Sequence, residues 1–235
     1  MAFLDLGALR LPGVPGVDAG ELEVRQYVVG PISTNCYAVV SEGRALVVDP
    51  GAEGARLAEA LNDVTVELVV ATHGHADHVA GVAALVEATG ASFAMAAPDV
   101  ELAQHARRNH AFGITFDADA PAPDEILAEG SVVRVGAASF RVMETPGHTA
   151  GGIVLVGMGA EEAPEAHAAA GIAFMGDTLF AGSAGRTDLD SGNAAVLART
   201  LQRLKREIAP ETRLFCGHNA HTTMSVELAY NPFLA

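Results

Sequence analysis

The chain has 235 residues, 50% of them apolar and 18% charged, and contains no low-complexity tract, which favours one folded domain over residues 1–235 and excludes a disordered chain. An excess of 29 acidic over 14 basic side chains leaves a formal net charge of -15. This charge disfavours nucleic acids and anionic membrane surfaces as partners, because both are negatively charged.

The N-terminal segment 1–20 has no basic start, and prolines and glycines interrupt its apolar runs. We therefore expect an N-terminal extension that is neither a signal peptide nor a membrane span. The two cysteines, Cys36 and Cys216, are too few for a disulfide framework and lack the close spacing of a thiolate zinc site. These features predict a reduced, cytoplasmic protein.

Short β-branched runs, bounded by Gly, Pro and Asn, predict a β meander in the first third of the chain. The strands predicted here are residues 22–29, 36–40, 45–48 and 68–71. A helix is predicted near 53–61, before the last of these strands. That strand stops at a loop that contains three histidines within six residues.

Apolar residues at helical spacing predict one continuous helix over residues 77–89. Asp77 lies in its first turn, where the helix dipole favours an acidic side chain. A strand at 92–95 and a helix near 98–108 follow. The acidic, aperiodic segment 109–129 is interpreted as a surface excursion.

The second half of the chain is again rich in predicted strands, and its two helices come late. The strands are predicted at 132–135, 139–144, 153–156, 172–175 and 213–216, the helices near 193–208 and 222–230, and a hairpin loop at 157–171. The longer helix has one apolar stripe, formed by Leu197, Leu201, Leu204 and Ile208. Sheets covered by helices on the outside predict an αββα sandwich.

Four predicted strands end in a loop that carries a histidine or an aspartate. Such strand ends can meet at one edge of a layered α/β structure. Imidazole and carboxylate together suit zinc, iron or manganese, whereas magnesium and calcium prefer oxygen ligands. The candidate metal ligands are His73, His75, Asp77, His78, His148, Asp177 and His218. The loop at 73–78 alone carries enough ligands to contribute to two adjacent metal ions.

The segment THGHADH at 72–78 resembles the signature of the metallo-β-lactamase superfamily. Further segments resemble those of the small glyoxalase II-like hydrolases. These segments are GP at 30–31, TNCY at 34–37, DPG at 49–51, TPGHT at 145–149, GDTLF at 176–180, GRTDL at 185–189 and NPF at 231–233. The resemblance covers residues 22–235 and implies the four-layer αββα metallo-β-lactamase sandwich, a fold of the α/β (α+β) class.

The resemblance also implies a role for each candidate ligand. One metal would be held by His73, His75 and His148. A second would be held by Asp77, His78 and His218. Asp177 would bridge the two ions. Asp77 would in addition act in catalysis, by orienting the attacking hydroxide or carrying its proton.

Three other residues are candidates for contacts around the metals or the substrate. Asp49 would orient a ligand from behind, or would serve only as a turn residue in Asp-Pro-Gly. Arg186 could anchor a substrate carboxylate, although pairing with Asp188 or Asp190 is the preferred interpretation. His221 stands where the family commonly has a Gly-Pro loop, as a spare imidazole at the edge of the site.

The predicted function is a binuclear metal-dependent hydrolase that cleaves a thioester or related ester of a small-molecule substrate through a metal-bound hydroxide. Zinc is the expected metal, with iron or manganese as alternatives. Rival hypotheses are a mononuclear iron dioxygenase acting on glutathione persulfide, a hydrolase of a lactone, β-lactam or phosphodiester, and a non-catalytic metal-binding protein. The full glyoxalase II enzyme holds glutathione with an additional C-terminal helical region, whereas this chain ends soon after its last ligand, so the resemblance does not support glutathione recognition. Whether glutathione is recognised and whether the protein is a homo-oligomer are left open.

Overall fold

The computed structural model describes residues 3–11, 22–108, 114–116, 118–159 and 171–235, and its first β-sheet has seven strands. These are β1 Leu4–Leu11, β2 Leu22–Val29, β3 Thr34–Ser41, β4 Arg44–Val48, β5 Thr65–Val70, β6 Ser92–Ala96 and β7 Glu125–Leu127. They lie in the sheet in chain order. Strands β1 to β4 pair antiparallel, whereas β4 to β7 pair parallel, so β5 and β6 end at the same edge.

The second sheet has six strands. Its strands, numbered along the chain, are β8 Val132–Val135, β9 Ala138–Glu144, β10 Ile153–Gly157, β11 Ile172–Gly176, β14 Arg213–Cys216 and β15 Thr222–Thr223. Strands β12 Leu179–Phe180 and β13 Ser183–Ala184 form a separate hairpin. The order across the sheet is β15-β14-β11-β10-β9-β8. Only β11 and β14 pair parallel among these neighbours.

Helices cover the outer face of each sheet. The α-helices are α1 Gly54–Ala60, α2 Ala76–Val79, α3 Val82–Thr89, α4 Val100–Gln104, α5 Ala194–Glu207 and α6 Met224–Tyr230, and short 3-10 turns lie at Ala97–Asp99, Ala106–Arg108 and Pro232–Leu234. Leu57 of α1 and Leu85 of α3 belong to an apolar cluster with the first sheet. The predicted stripe of α5 is buried in a separate cluster with the second sheet. The αββα architecture is confirmed.

Strand β4 shows why the sequence forms these layers. Leu46 and Val48 belong to the core between the two sheets, together with Phe140 and Phe174 of the second sheet. Val47 points to the opposite face and packs with the helix layer. Successive side chains of a strand alternate between faces, so a strand covered on both sides is apolar throughout.

The predicted helix over 77–89 is wrong in one respect, because it is broken into α2 and α3 at Ala80 and Gly81. The backbone NH of Gly81 donates to the carbonyl of Pro50 at 2.8 Å. A Cβ at position 81 would lie 2.5 Å from that carbonyl oxygen. This close approach of the Asp-Pro-Gly turn ends the short helix that carries Asp77 and His78.

Three other segments differ from expectation. Part of the expected N-terminal extension forms β1, an edge strand paired with β2. The expected surface excursion at 109–129 contains β7, although residues 109–113 and 117 lie outside the described part. Residues 160–170 of the predicted hairpin loop also lie outside it. The predicted helix at 222–230 starts only at Met224, because the two residues before it pair with β14.

Within the described residues, the helices are all too short or too polar to cross a membrane.

Candidate metal centre

The candidate ligands meet where strands of both sheets end. The loop at 73–78 follows β5 of the first sheet, and three loops of the second sheet, after β9, β11 and β14, bring in His148, Asp177 and His218. An isolated antiparallel bridge between Thr34 and His218 ties the two sheets together here. The sequence prediction that these strand ends converge therefore agrees with the geometry.

The seven side chains form overlapping groups, which we call the donor cluster. In the first donor group, His73, His75 and His148, one ring nitrogen from each residue lies within 4.8 Å of the others. Asp77, His78 and His218 form the second donor group by the same criterion. His73, His78 and Asp177 form a third group, which shares one residue with each of the other two. Asp177 therefore lies between the first two groups, with its Oδ2 3.6 Å from His148 Nε2 and 3.5 Å from His218 Nε2.

The donor atoms have the chemistry and the unmet bonding that metal ions require. Nε2 of His73 and Nε2 of His75 are buried without a hydrogen-bond partner in the described part of the chain. Nε2 of His78 has only carboxylate contacts, at 3.2 Å to Oδ2 of Asp77 and 3.3 Å to Oδ1 of Asp177. Nδ1 of His75 lies 2.9 Å from Nε2 of His148, so two ring nitrogens face each other. Burying an unsatisfied polar atom costs about 1–3 kcal/mol. Divalent ions coordinated by these imidazoles and carboxylates would offset that cost, so the residues fit a metal centre.

Neighbouring groups hold two of the histidine rings by their second nitrogen. The Asp49 carboxylate accepts from the backbone NH and hydroxyl of Thr72, each at 2.7 Å, and lies 3.0 Å from Nδ1 of His78. Nδ1 of His148 lies 2.7 Å from the carbonyl oxygen of Arg186. Such contacts fix a ring's tautomer and orientation. Asp49 therefore contacts a candidate ligand directly, although it also has the positive φ, 54°, of a turn residue.

Asp99 is a residue that the sequence analysis missed. Its carboxylate is 1% exposed and accepts from the backbone NH groups of Gly74, at 2.9 Å, and Gly151, at 2.6 Å. Gly74 separates His73 from His75, so Asp99 joins their loop to the loop that follows His148. Its position could have indicated this role, because Asp99 follows the end of β6, and β6 runs parallel to β5 and ends at the same edge of the sheet.

The close packing of the donor cluster requires glycine at position 217. A Cβ there would collide with Oδ1 of Asp177 and would lie 2.8 Å from Cε1 of His78. Gly217 also anchors the loop, because its NH donates to the carbonyl of Gly176 at 2.8 Å.

The two donor groups differ in their electrostatics. Burial and neighbouring imidazoles lower the pKa of His73 well below its usual value and that of His75 to about 4. Burial also acts to lower the pKa of His78 and His218, but nearby carboxylates outweigh it and raise both values. Burial acts to raise the pKa of Asp77, but His78 and His218 hold it well below its usual value. His73 and His75 are therefore neutral at pH 7, whereas the second group is a network of paired charges in the metal-free protein.

A pocket of about 490 Å³ opens directly above the donor cluster. His75, Asp77, His148, Asp177 and His218 line it, so a small molecule in the pocket would reach both donor groups. Arg186 also lines the pocket, while its guanidinium pairs with Asp188, as the preferred interpretation predicted. His221 lies outside both the donor cluster and the pocket lining. The chain turns away from the site at Asn219, which has a positive φ of 61°. The ring of His221 is therefore exposed, and its centroid lies 5.9 Å from that of Phe215.

Fold and site together define an αββα protein that binds divalent metal ions. Residues 29–218 match the metallo-β-lactamase superfamily, so the chain belongs to this superfamily of metallo-hydrolases. An uncharacterized protein of Aquifex aeolicus is 39% identical over 207 residues, covering 87% of this chain and 93% of the relative. The hydroxyacylglutathione hydrolase GloC of Haemophilus influenzae is 30% identical over 201 residues, covering 82% and 88%.

Solved structures show the same similarity. TTHA1623 in a di-iron-bound form has a TM-score of 0.75 and 33% identity, over 88% of this chain and 98% of that one. The B3 metallo-β-lactamase BLEG-1 has a TM-score of 0.77 and 26% identity, over 90% and 99%. ETHE1 from Myxococcus xanthus has a TM-score of 0.68 and 28% identity, over 89% and 83%. The fold prediction and the family resemblance are thus confirmed.

Proposed function

We propose that this protein is a binuclear metal-dependent hydrolase that cleaves a thioester or a related ester. The observation that carries the proposal is the presence of two complete donor groups, with Asp177 between them, at the base of one pocket. The similarity to GloC of H. influenzae, named a hydroxyacylglutathione hydrolase, supports the thioester. A mononuclear site would leave no use for the second donor group, Asp77, His78 and His218.

The first and second donor groups support one division of the ligands between two ions. His73, His75 and His148 would hold one ion, Asp77, His78 and His218 the other, and Asp177 would contact both. Divalent ions held by these residues would lower the pKa of bound water and so would supply hydroxide near neutral pH. We propose zinc, with iron or manganese as alternatives, because the donors suit all three.

The remaining catalytic work falls to side chains of this chain. Asp77 lines the pocket, and the hydroxyl of Thr34 donates to its Oδ2 at 3.0 Å, which fixes the orientation of the carboxylate. An aspartate with its ordinary pKa, about 3.9, is ionised at pH 7. Asp77 can therefore orient an attacking water by accepting its hydrogen bond, and it is too weak a base to keep the proton. The Arg186 carbonyl and Asp49 keep the rings of His148 and His78 in place.

The proposal extends to the setting of the reaction. We propose a small-molecule substrate in the pocket, no nucleic-acid or membrane partner, and a cytoplasmic location. The net charge of -15 supports the exclusion of nucleic acid. Homo-oligomerisation is left open.

The test combines elemental analysis of protein purified without added metal with thioester hydrolysis on the same sample. We expect about two ions per chain, the full occupancy of two such groups, and hydrolysis that a chelator abolishes. His218→Ala should lose the second ion and most of the activity. His105→Ala is a matched control, because the ring of His105 is exposed and its Nδ1 contacts the Glu101 carbonyl, away from the donor cluster. A single iron per chain, oxygen uptake with glutathione persulfide and no hydrolysis would refute the hydrolase in favour of the dioxygenase.

A further inference from the structure

The walls of the pocket above the donor cluster are mostly apolar. Beyond the donor residues, its larger apolar lining residues are Ile32, Ile114, Phe116, Phe180 and Leu189. Phe180 stands close to the second donor group, with its ring centroid 6.0 Å from that of His218. Alkyl or aryl groups bind favourably to such walls, because removing apolar surface from water lowers the free energy.

Arg186 is the only lysine or arginine among the described residues that line the pocket, and its charge is already matched. Its Nε and Nη2 donate to Oδ1 and Oδ2 of Asp188, each at 2.7 Å. The hydrogen bond from Arg186 is the main reason that the pKa of Asp188 falls to about 2, so Asp188 is ionised at neutral pH. A substrate carboxylate would have to compete with Asp188 for this guanidinium.

Asp77 and Asp177 lie at the base of the pocket, where His218 and the proposed ions balance their charge. Away from this base, the described lining offers a substrate carboxylate no lysine or arginine other than the paired Arg186. A carboxylate placed on these apolar walls would lose its water without gaining a charged partner, which is unfavourable.

From these observations we infer that the site takes uncharged thioesters or esters with an apolar arm and discriminates against substrates whose thiol or acyl part carries carboxylates. This inference rests on the proposed hydrolase function and names its substrate class. The scissile carbonyl would lie at the donor cluster, and the apolar arm would pack along Phe180, Ile32 and Leu189. A glutathione thioester, with two carboxylates on its thiol part, would be a poor substrate for this site.

The test uses pairs of thioesters that share one acyl group and differ in the thiol, either neutral N-acetylcysteamine or anionic glutathione. With the metal-loaded enzyme, we expect kcat/KM to favour the neutral member by about fivefold, the upper range of one surface ion pair. Lengthening the acyl chain from acetyl to hexanoyl on the neutral thiol should raise kcat/KM by about fourfold for each methylene buried.

Two variants test the cause of this discrimination. Ile32→Lys places a cation on the apolar wall and should improve the glutathione thioester relative to the neutral one. Ile126→Lys is the matched control, because Ile126 is 50% exposed on β7 and does not line the pocket. Asp188→Asn, at an exposed position, removes the negative charge that pairs with Arg186 and should shift the ratio in the same direction.

The outcomes separate the inference from the proposed function. A glutathione thioester cleaved as well as its neutral partner, or better, would overturn the inference and leave the hydrolase standing. A flat dependence on acyl chain length would do the same. Failure of the metal-loaded enzyme to cleave any member of the series would instead remove the proposed function itself.

Discussion

Asp99→Asn tests how the fold holds the first donor group. The substitution keeps the size of the side chain but replaces one carboxylate oxygen by an NH2 group. Both oxygens of Asp99 accept from backbone NH groups, those of Gly74 and Gly151. In the variant, the backbone NH of Gly74 or that of Gly151 would face the new NH2 group, which is also a donor. Water cannot replace the lost acceptor, because the side chain at this position is 1% exposed.

The expected cost follows from these two contacts. A hydrogen bond to a carboxylate contributes about 1.5–3 kcal/mol, and an unsatisfied buried donor adds a penalty of its own. We therefore expect the free energy of unfolding of the metal-free protein to fall by about 2–3 kcal/mol. Because Gly74 lies between His73 and His75, the affinity for metal at the first donor group should also fall, by about 10–100-fold, the range for groups that orient ligands.

Two measurements separate stability from metal binding. Urea unfolding of chelator-treated protein gives the first, and zinc titration against a competing chelator gives the second. Asp124→Asn is the matched control, because the Asp124 carboxylate accepts from the backbone NH of Phe93, at 2.9 Å, on the same strand β6 that precedes Asp99. An asparagine at position 124 can keep this single bond through its carbonyl oxygen and turn its NH2 group to solvent, so stability and metal affinity should both change little. Metal affinity in Asp99→Asn that is as unchanged as in the control would refute the reasoning.

Three further predictions concern the donor cluster. Gly217→Ala should lower kcat/KM by at least about 100-fold, because the added methyl group would displace Asp177 or His78. Circular dichroism should show that the fold is retained. Wild-type activity in this variant would contradict the close packing. Acidification of the metal-free protein from pH 6.5 to about 4 should lower its stability. In the unfolded chain His75 binds a proton near its ordinary pKa of 6.5, whereas in the folded chain its pKa is about 4, so protonation favours the unfolded state across this range. Urea unfolding across this range should show that loss in the wild type and less of it in His75→Gln. Chelation should lower the melting temperature, and added zinc should restore it. Free zinc at 1,000 times its Kd should raise the free energy of unfolding by about 4 kcal/mol. A melting temperature that does not respond to zinc would argue against a metal site.

The sequence alone predicted most strands of both sheets, the layered architecture and all seven members of the donor cluster. It did not predict β1, β7, β15 or the hairpin of β12 and β13. The predicted features are local, because apolar runs mark each predicted strand and a histidine or aspartate follows within a few residues of its end. The pattern of the loop at 73–78 is also short enough to be recognised without knowing its neighbours. In the second sheet, β9, β11 and β14 run in the same direction, so their ends lie at one edge.

Only the tertiary structure decided how distant segments meet. Asp99 joins loops that are 25 and 52 residues away along the chain, and nothing in its local sequence marks those partners. The break at Gly81 arises from the approach of the turn at Pro50, and the helical periodicity of 77–89 continues through it. His221 resembled a site residue by its position near His218, but the chain turns it outward. Local patterns reveal which residues prefer a strand, a helix or a metal, whereas contacts between segments depend on packing that no single segment contains.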